Sequence, residues 1–468
     1  MHTVRLTVRI VILLLTIAPF GFTQRGGSSL GHALTRHRAE LGELPQPGDV
    51  IIQDIFNYHQ HRVALPRAGK PLALEIRFGG ASIAPRSRTF VQIGIATQHV
   101  YDMKHLPPIN VALVIDRSGS MASAGKMSRV QEALSFFIKK LRPRDRIALV
   151  AFDTKAEVLV ESAPLGDGAA VRQAITALVP EESTNIHAGL MLGYAEALRH
   201  LSKTGTNRVL LLTDGIANVG ETDSQIIEAD SKRFNDQGVD LAVIGVGNDL
   251  NRDLLRSLAT AGRGLCHFLG DSADVRKVFV QEAQSLVAPC ARRPQLTITL
   301  DPALRIVDLP GYTHEKVDGG VQLQLDDLNQ GATQIVLLDC AVSDLPPGTT
   351  ASIVAKLAFQ DADGKARTVI SRTAVPVTRR APADVLEDHE VRKSWTIAAM
   401  AVAMAKMAEH AAAGKIEEAR DDVRRALTTV RERFAGGGDS DIKQTTATLR
   451  AYERLLGAVD SRGRAVSR

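Results

Sequence analysis

The stretch Val111-Ala112-Leu113-Val114-Ile115-Asp116-Arg117-Ser118-Gly119-Ser120-Met121 changes character at its midpoint. An uninterrupted apolar run stops at a carboxylate, and two serines follow at alternate positions. A strand buried on both faces reads as such a run, and in open α/β sheets ligands sit beyond the carboxyl ends of the strands. Asp116, Ser118 and Ser120 are therefore three oxygen donors at the place where a site belongs. The D-x-S-x-S spacing around Gly119 permits a tight loop that turns all three inward. Hard oxygen donors without His or Cys suit Mg2+, Ca2+ or Mn2+ and disfavour zinc. Taken alone, the same residues also make an ordinary turn after a core strand.

Two later segments supply what a metal site still needs. In Glu181-Glu182-Ser183-Thr184-Asn185-Ile186-His187-Ala188-Gly189 a loop rich in capping residues opens a helical pattern, so the Thr184 hydroxyl can face the same rim. Val209-Leu210-Leu211-Leu212-Thr213-Asp214-Gly215 then repeats the pattern of a strand ending in a carboxylate, with Asp214 as the second acid. D-x-S-x-S, a distant S-T and a later T-D-G together resemble the metal-ion-dependent adhesion site of von Willebrand factor type A (VWA) domains. The resemblance implies a doubly wound, Rossmann-like domain. It also implies a divalent cation, Mg2+ first with Ca2+ or Mn2+ as alternatives, bound directly by Ser118 and Ser120. Thr184 would bind directly or through water, and Asp116 and Asp214 through waters or hydrogen bonds to the ligating groups. An open coordination position would then take an Asp or Glu from a protein partner, so the resemblance implies an interaction device and not a catalyst.

Around this segment strands and helices alternate, as in a parallel sheet covered on both faces. Strands are expected over 110–115, 146–152, 209–213, 240–246 and 265–269, and helices over 127–141, 169–178, 188–201, 224–235, 253–260 and 273–286. The lone Gly245-Val246-Gly247 reads as a tight turn, because the third glycine of a dinucleotide loop is missing, and no P-loop pattern occurs. Beyond Pro294 short alternating runs separated by Asp-Gly turns read as an antiparallel sandwich, over 295–300, 321–325, 334–338, 351–359 and 368–375. Segments 72–78 and 89–95 carry the same alternation but are too few to stand alone, so they are expected to join the later strands. The VWA domain is then an insertion in one β-sandwich. From Asp384 the period becomes helical: a hairpin divided at Gly414-Lys415 that looks like one tetratricopeptide-type pair, then a third helix after Gly436-Gly437-Gly438.

The expected domains are 1–25, a signal peptide or N-terminal anchor; 26–69, linker and helix; 70–107, sandwich strands; 108–290, VWA; 291–380, sandwich; and 381–468, helical. Segments 47–59 and 213–220 are also similar to bacterial exported VWA proteins of the YfbK type. That likeness runs over about 47–311 and leaves the C-terminal part unmatched.

The length of 468 residues suits about three domains. Lys plus Arg exceeds Asp plus Glu by 57 to 52, and the charges are interspersed, without the basic stripe or aromatic interleaving of a nucleic-acid binder. Arg5, Arg9 and the apolar run 10–17 have the layout of a secretory leader, too short to span a bilayer comfortably. Export to the periplasm or cell surface is the expectation, with membrane attachment only through this segment if it stays uncleaved. Cys266, Cys290 and Cys340 lack C-x-x-C spacing, leaving one Cys290–Cys340 bridge or three buried thiols. The expected function is metal-dependent protein–protein interaction, without enzymatic activity. A structural role in the cell envelope is the alternative. A metal-dependent phosphohydrolase is the remoter one, because position 118 is Ser and His187 is the nearest candidate base.

Overall fold

The computed structural model describes residues 24–25, 30–59, 61–67, 69–98, 109–181, 183–202, 205–214, 217–247, 250–269, 289–361, 364–380, 385–434 and 438–458. The expected leader, up to residue 23, and the expected helix 273–286 lie outside these residues.

A two-residue strand β1 (Gln24–Arg25), helices α1 (Leu30–Leu41) and α2 (Ile52–Asn57), and strands β2 (Leu72–Phe78) and β3 (Arg88–Thr97) come first. The α/β segment follows: β4 (Asn110–Asp116), α3 (Lys126–Ile138), β5 (Arg146–Phe152), β6 (Ala156–Pro164), α4 (Ala169–Thr176), α5 (Ile186–Arg199), β7 (Asn207–Thr213), α6 (Ser224–Asp236), β8 (Asp240–Val246), α7 (Arg252–Ala261) and β9 (Arg263–Leu269). Its strands order as β6-β5-β4-β7-β8-β9. All are parallel except the edge strand β6, which runs antiparallel to β5.

Every residue of β4, β7 and β8 is buried, which accounts for their unbroken apolar sequence. One face packs against α3 and α4 through Val130, Leu134, Phe137, Val171 and Ile175. The other packs against α5 and α7 through Ile186, Leu190, Tyr194, Leu254 and Leu258. Helix α5 comes so close that a Cβ on Gly193 would stand 2.3 Å from Val114 Cγ2. Strand β6 is the one element of this sheet that the sequence reading lacks. It is half-exposed and carries Glu157 and Glu161, so no apolar run marks it.

The later strands are β10 (Pro289–Leu300), β11 (Leu304–Asp308), β12 (Glu315–Val317), β13 (Gly320–Gln324), β14 (Leu328–Asn329), β15 (Ala332–Val342), β16 (Thr350–Gln360) and β17 (Ala366–Pro376). One sheet has the order β1-β15-β3-β2 with β11 also on β15, and the other β12-β13-β10-β16-β17 with β14 also on β10. The two enclose a common core in which Ile76 and Ile93 meet Leu296, Ile298 and Ile353. β3 lies before the α/β segment in the chain and β15 after it, and the two pair antiparallel along nearly their whole length. The chain thus leaves the sandwich after β3 and returns with β10. Gln98 N donates to Pro71 O at 2.9 Å and the Cys290 thiol to the same oxygen at 3.1 Å, so departure and return meet at one carbonyl. All three cysteines are buried, and Cys290 and Cys340 stay as separate thiols; enclosure pushes these two up to about 11 and about 12.

Helices α8 (His389–Ala412), α9 (Ile416–Arg433) and α10 (Ser440–Gly457) close the chain. Their apolar faces share a core with α2 and with Ala96, Ile335 and Leu337 of the first sheet, so they cover that sheet's outer side. Asp388 and Asp439 cap α8 and α10 by accepting hydrogen bonds from the first backbone amides of each. Helix α1 is shared: Ala33 and Leu34 lie in the α/β core, while the Tyr452 hydroxyl of α10 donates to Thr35 O. Among the described residues no helix is long and apolar enough to cross a membrane.

Candidate metal centre

Strands β4 and β7 are parallel neighbours with Ile115 opposite Leu212, so the residues ending them stand side by side at the carboxyl edge of the sheet. Ser118 N donates to Asp116 Oδ1 at 2.8 Å, and the Thr213 hydroxyl donates to Asp116 Oδ2 at 2.6 Å. Both carboxylate oxygens are thereby held before any ligand is considered. Burial pushes the Asp116 carboxyl up to about 6 against the lowering effect of these bonds, and the neighbouring Asp214 charge adds to the rise. The Ser118 and Ser120 hydroxyls lie 3.0 Å apart, Ser118 buried and Ser120 open to solvent, where a short 3-10 turn (Gly119–Gly125) begins.

Thr184 is buried and held through its backbone. Its N–H donates to Asn218 Oδ1 at 2.8 Å, and its carbonyl accepts from Asn218 N and Val219 N. Because Asn218 follows Asp214 closely in the chain, the Thr184 loop is clipped to the Asp214 loop. Asn185 then caps α5 by accepting from Ala188 N at 3.0 Å. Arg117, the variable position of D-x-S-x-S, pairs with Asp153 at 2.7 Å and with Glu157 and Glu181 at 3.5 Å, tying this loop to the turn before β6 and to the segment before Thr184.

The five residues expected from sequence therefore gather at one edge of the sheet, and their chemistry fits a hard divalent cation: three hydroxyls and two carboxylates. Among the described residues no cluster of three or more His, Cys, Asp or Glu offers a metal site of another type. His187 is not part of this rim. Its Nε2 lies 3.0 Å from Asp230 Oδ2 on α6, so the imidazole braces two helices.

Lys126, which the sequence reading passed over, is the addition. It is the first residue of α3, and its Nζ donates to Asp214 Oδ2 at 3.0 Å with both side chains buried. Gly247, at φ +91 beyond β8, makes room for it: a Cβ there would stand 2.3 Å from Lys126 Cε. The one sequence signal was a lysine at a helix N-terminus, where a positive charge opposes the helix dipole and needs a partner.

Residues 110–281 match the family model described as "von Willebrand factor type A domain". The chain is 31% identical over 283 residues to the uncharacterized protein YfbK of Escherichia coli, covering 58% of this chain and 48% of that one. It is 27% identical over 279 residues to the uncharacterized protein sll0103 of Synechocystis, covering 57% of this chain and 64% of that one. The aligned stretch thus spans about half to two thirds of these relatives. A solved structure titled von Willebrand factor type A from Catenulispora acidiphila superposes with a TM-score of 0.56 over 87% of this chain and 96% of its own, at 18% identity, a likeness of fold. Domains of this type typically mediate protein–protein interactions and commonly bind a divalent metal. The doubly wound segment with Asp116 and Asp214 at its edge is a von Willebrand factor type A domain, carried in a chain related to YfbK.

Proposed function

We propose that this protein is an exported interaction module. Its VWA domain takes a divalent cation, Mg2+ first, at Asp116, Ser118, Ser120, Thr184 and Asp214, and through that cation an Asp or Glu side chain of a protein partner. The observation that carries the reading is the fixed carboxylate of Asp116, bonded by Ser118 N and Thr213, beneath two hydroxyls only 3.0 Å apart. Such a set costs little reorganisation on loading, since the groups that orient the ligands are already hydrogen-bonded. Export is supported by the charged, then apolar, layout of residues 5–17.

Calorimetric titration of Mg2+, Mn2+ and Ca2+ into the chain from Gln24 onward tests this, beside Asp116→Ala and the Asp116→Ala/Asp214→Ala double variant. Asp116→Ala is expected to weaken binding roughly 10–100-fold, the usual cost of removing a group that orients metal ligands. The double variant should lose binding altogether. Unchanged affinity in the double variant would refute the reading.

A further inference from the structure

We infer that Lys126 is a resident rival of the metal: its ammonium group competes with a divalent cation for the Asp214 carboxylate and so weakens the metal affinity of the rim. The inference rests on the metal-site reading above and concerns how that site is tuned.

A buried lysine at the first position of a helix is disfavoured twice, by the loss of water around its charge and by the positive end of the helix dipole. It stays there because Asp214 Oδ2 accepts from its Nζ at 3.0 Å. The surroundings are shaped to this arrangement. Gly247 takes a left-handed backbone conformation directly against the lysine stem, where any larger residue would collide with Cε. Three elements therefore build one slot: α3 supplies the lysine, the end of β7 its acid, and the turn after β8 the space.

Charge counting gives the consequence. Asp116 and Asp214 together balance a divalent cation, and Lys126, itself buried, adds a third positive charge beside them. The ammonium repels an incoming cation through a medium of lower dielectric than water. It also holds one Asp214 oxygen in a hydrogen bond that the metal or its bound water would have to share. The loaded rim then carries one positive charge in excess, which a carboxylate from a partner neutralises. Metal and acidic partner accordingly bind with positive coupling, each raising the affinity for the other.

Mg2+ and Mn2+ titrations of the chain from Gln24 onward, with Lys126→Met and Lys126→Gln, test the inference by affinity and by stability. Both variants are expected to bind roughly tenfold tighter or better, since removing the repulsion restores at least that factor. Without metal both should melt at lower temperature, because Asp214 is left buried without its cation, and added Mg2+ should restore the loss. Equal or weaker affinity in folded variants overturns the inference and leaves the metal site standing. No binding in any of the three chains overturns the metal-site reading and this inference with it. Should neither variant fold, nitrogen NMR of the lysine ammonium groups in the unaltered sequence decides the matter. The Lys126 signal should shift as Mg2+ saturates the protein, and an unmoved signal overturns the inference.

Discussion

His61 is enclosed where the N-terminal segment meets the helical bundle. Its Nε2–H donates to Phe56 O at 2.7 Å, and its Nδ1 accepts from the Ser394 hydroxyl at 3.2 Å. A second proton on Nδ1 would force the Ser394 hydroxyl to turn and accept, and would place a charge out of water beside Lys393 and His59. Burial accordingly pushes its pKa down to about 4, with Asp441 and the Phe56 carbonyl offsetting only part of that. The folded value lies below the ordinary 6.5, so the neutral form favours folding. The contribution is complete above pH about 6.5 and is lost as pH falls towards 4. Stability should decline by about 3 kcal/mol across that window, and His61→Gln should flatten the decline, both read by chemical denaturation at stepped pH. Residues of this kind mark the limit of what the chain's order discloses. Asp116, Ser118 and Ser120 were legible because a strand end and a short spacing are local. The Lys126 partnership joins residues 88 positions apart and exists only once β7 lies beside β4.

At the scale of elements, α5 shows how sequence small talk becomes geometry. Gly189 and Gly193 lie on one helix face, and both meet strand side chains at distances no Cβ tolerates, Phe152 for the first and Val114 for the second. Gly193→Ala inserts a methyl group 2.3 Å from Val114 Cγ2, in a sheet whose neighbouring strands leave no slack. The helix must lift or the valine must turn, at a cost of about 1–3 kcal/mol. Thermal unfolding should show the drop, and Gly193→Ala/Val114→Ala should recover part of it, since the double change exchanges volume at one contact. The parallel strands were plain from their apolar runs. Strand β6 was not, because an edge strand facing water keeps charges such as Glu157 and Glu161 and has no unbroken run. Helices α3 to α7 of the α/β segment lie within a few residues of the bounds their apolar period gives, although α5 starts at Ile186, ahead of the expected Ala188, because Asn185 supplies the cap.

For the whole molecule, the pairing of β3 with β15 makes the sandwich a frame that is complete without the α/β segment. Replacing residues 99–288 by a short Gly/Ser linker should leave a chain that unfolds cooperatively, with strand and helix signals in circular dichroism. Gln98 and Cys290 already meet at one carbonyl, so the closure is short. Loss of the cooperative transition would mean that the frame depends on its insert. The shared helix α1 has a different consequence. A domain hung from two adjacent strands alone could swivel about that doorway like a flag on a pole. Here α1 is gripped a second time, by the α/β core through Leu34 and by the bundle through Tyr452, and two separate points of attachment remove that freedom. The rim at Asp116 therefore faces one direction relative to the frame, and its reach and angle are set by the body behind the domain.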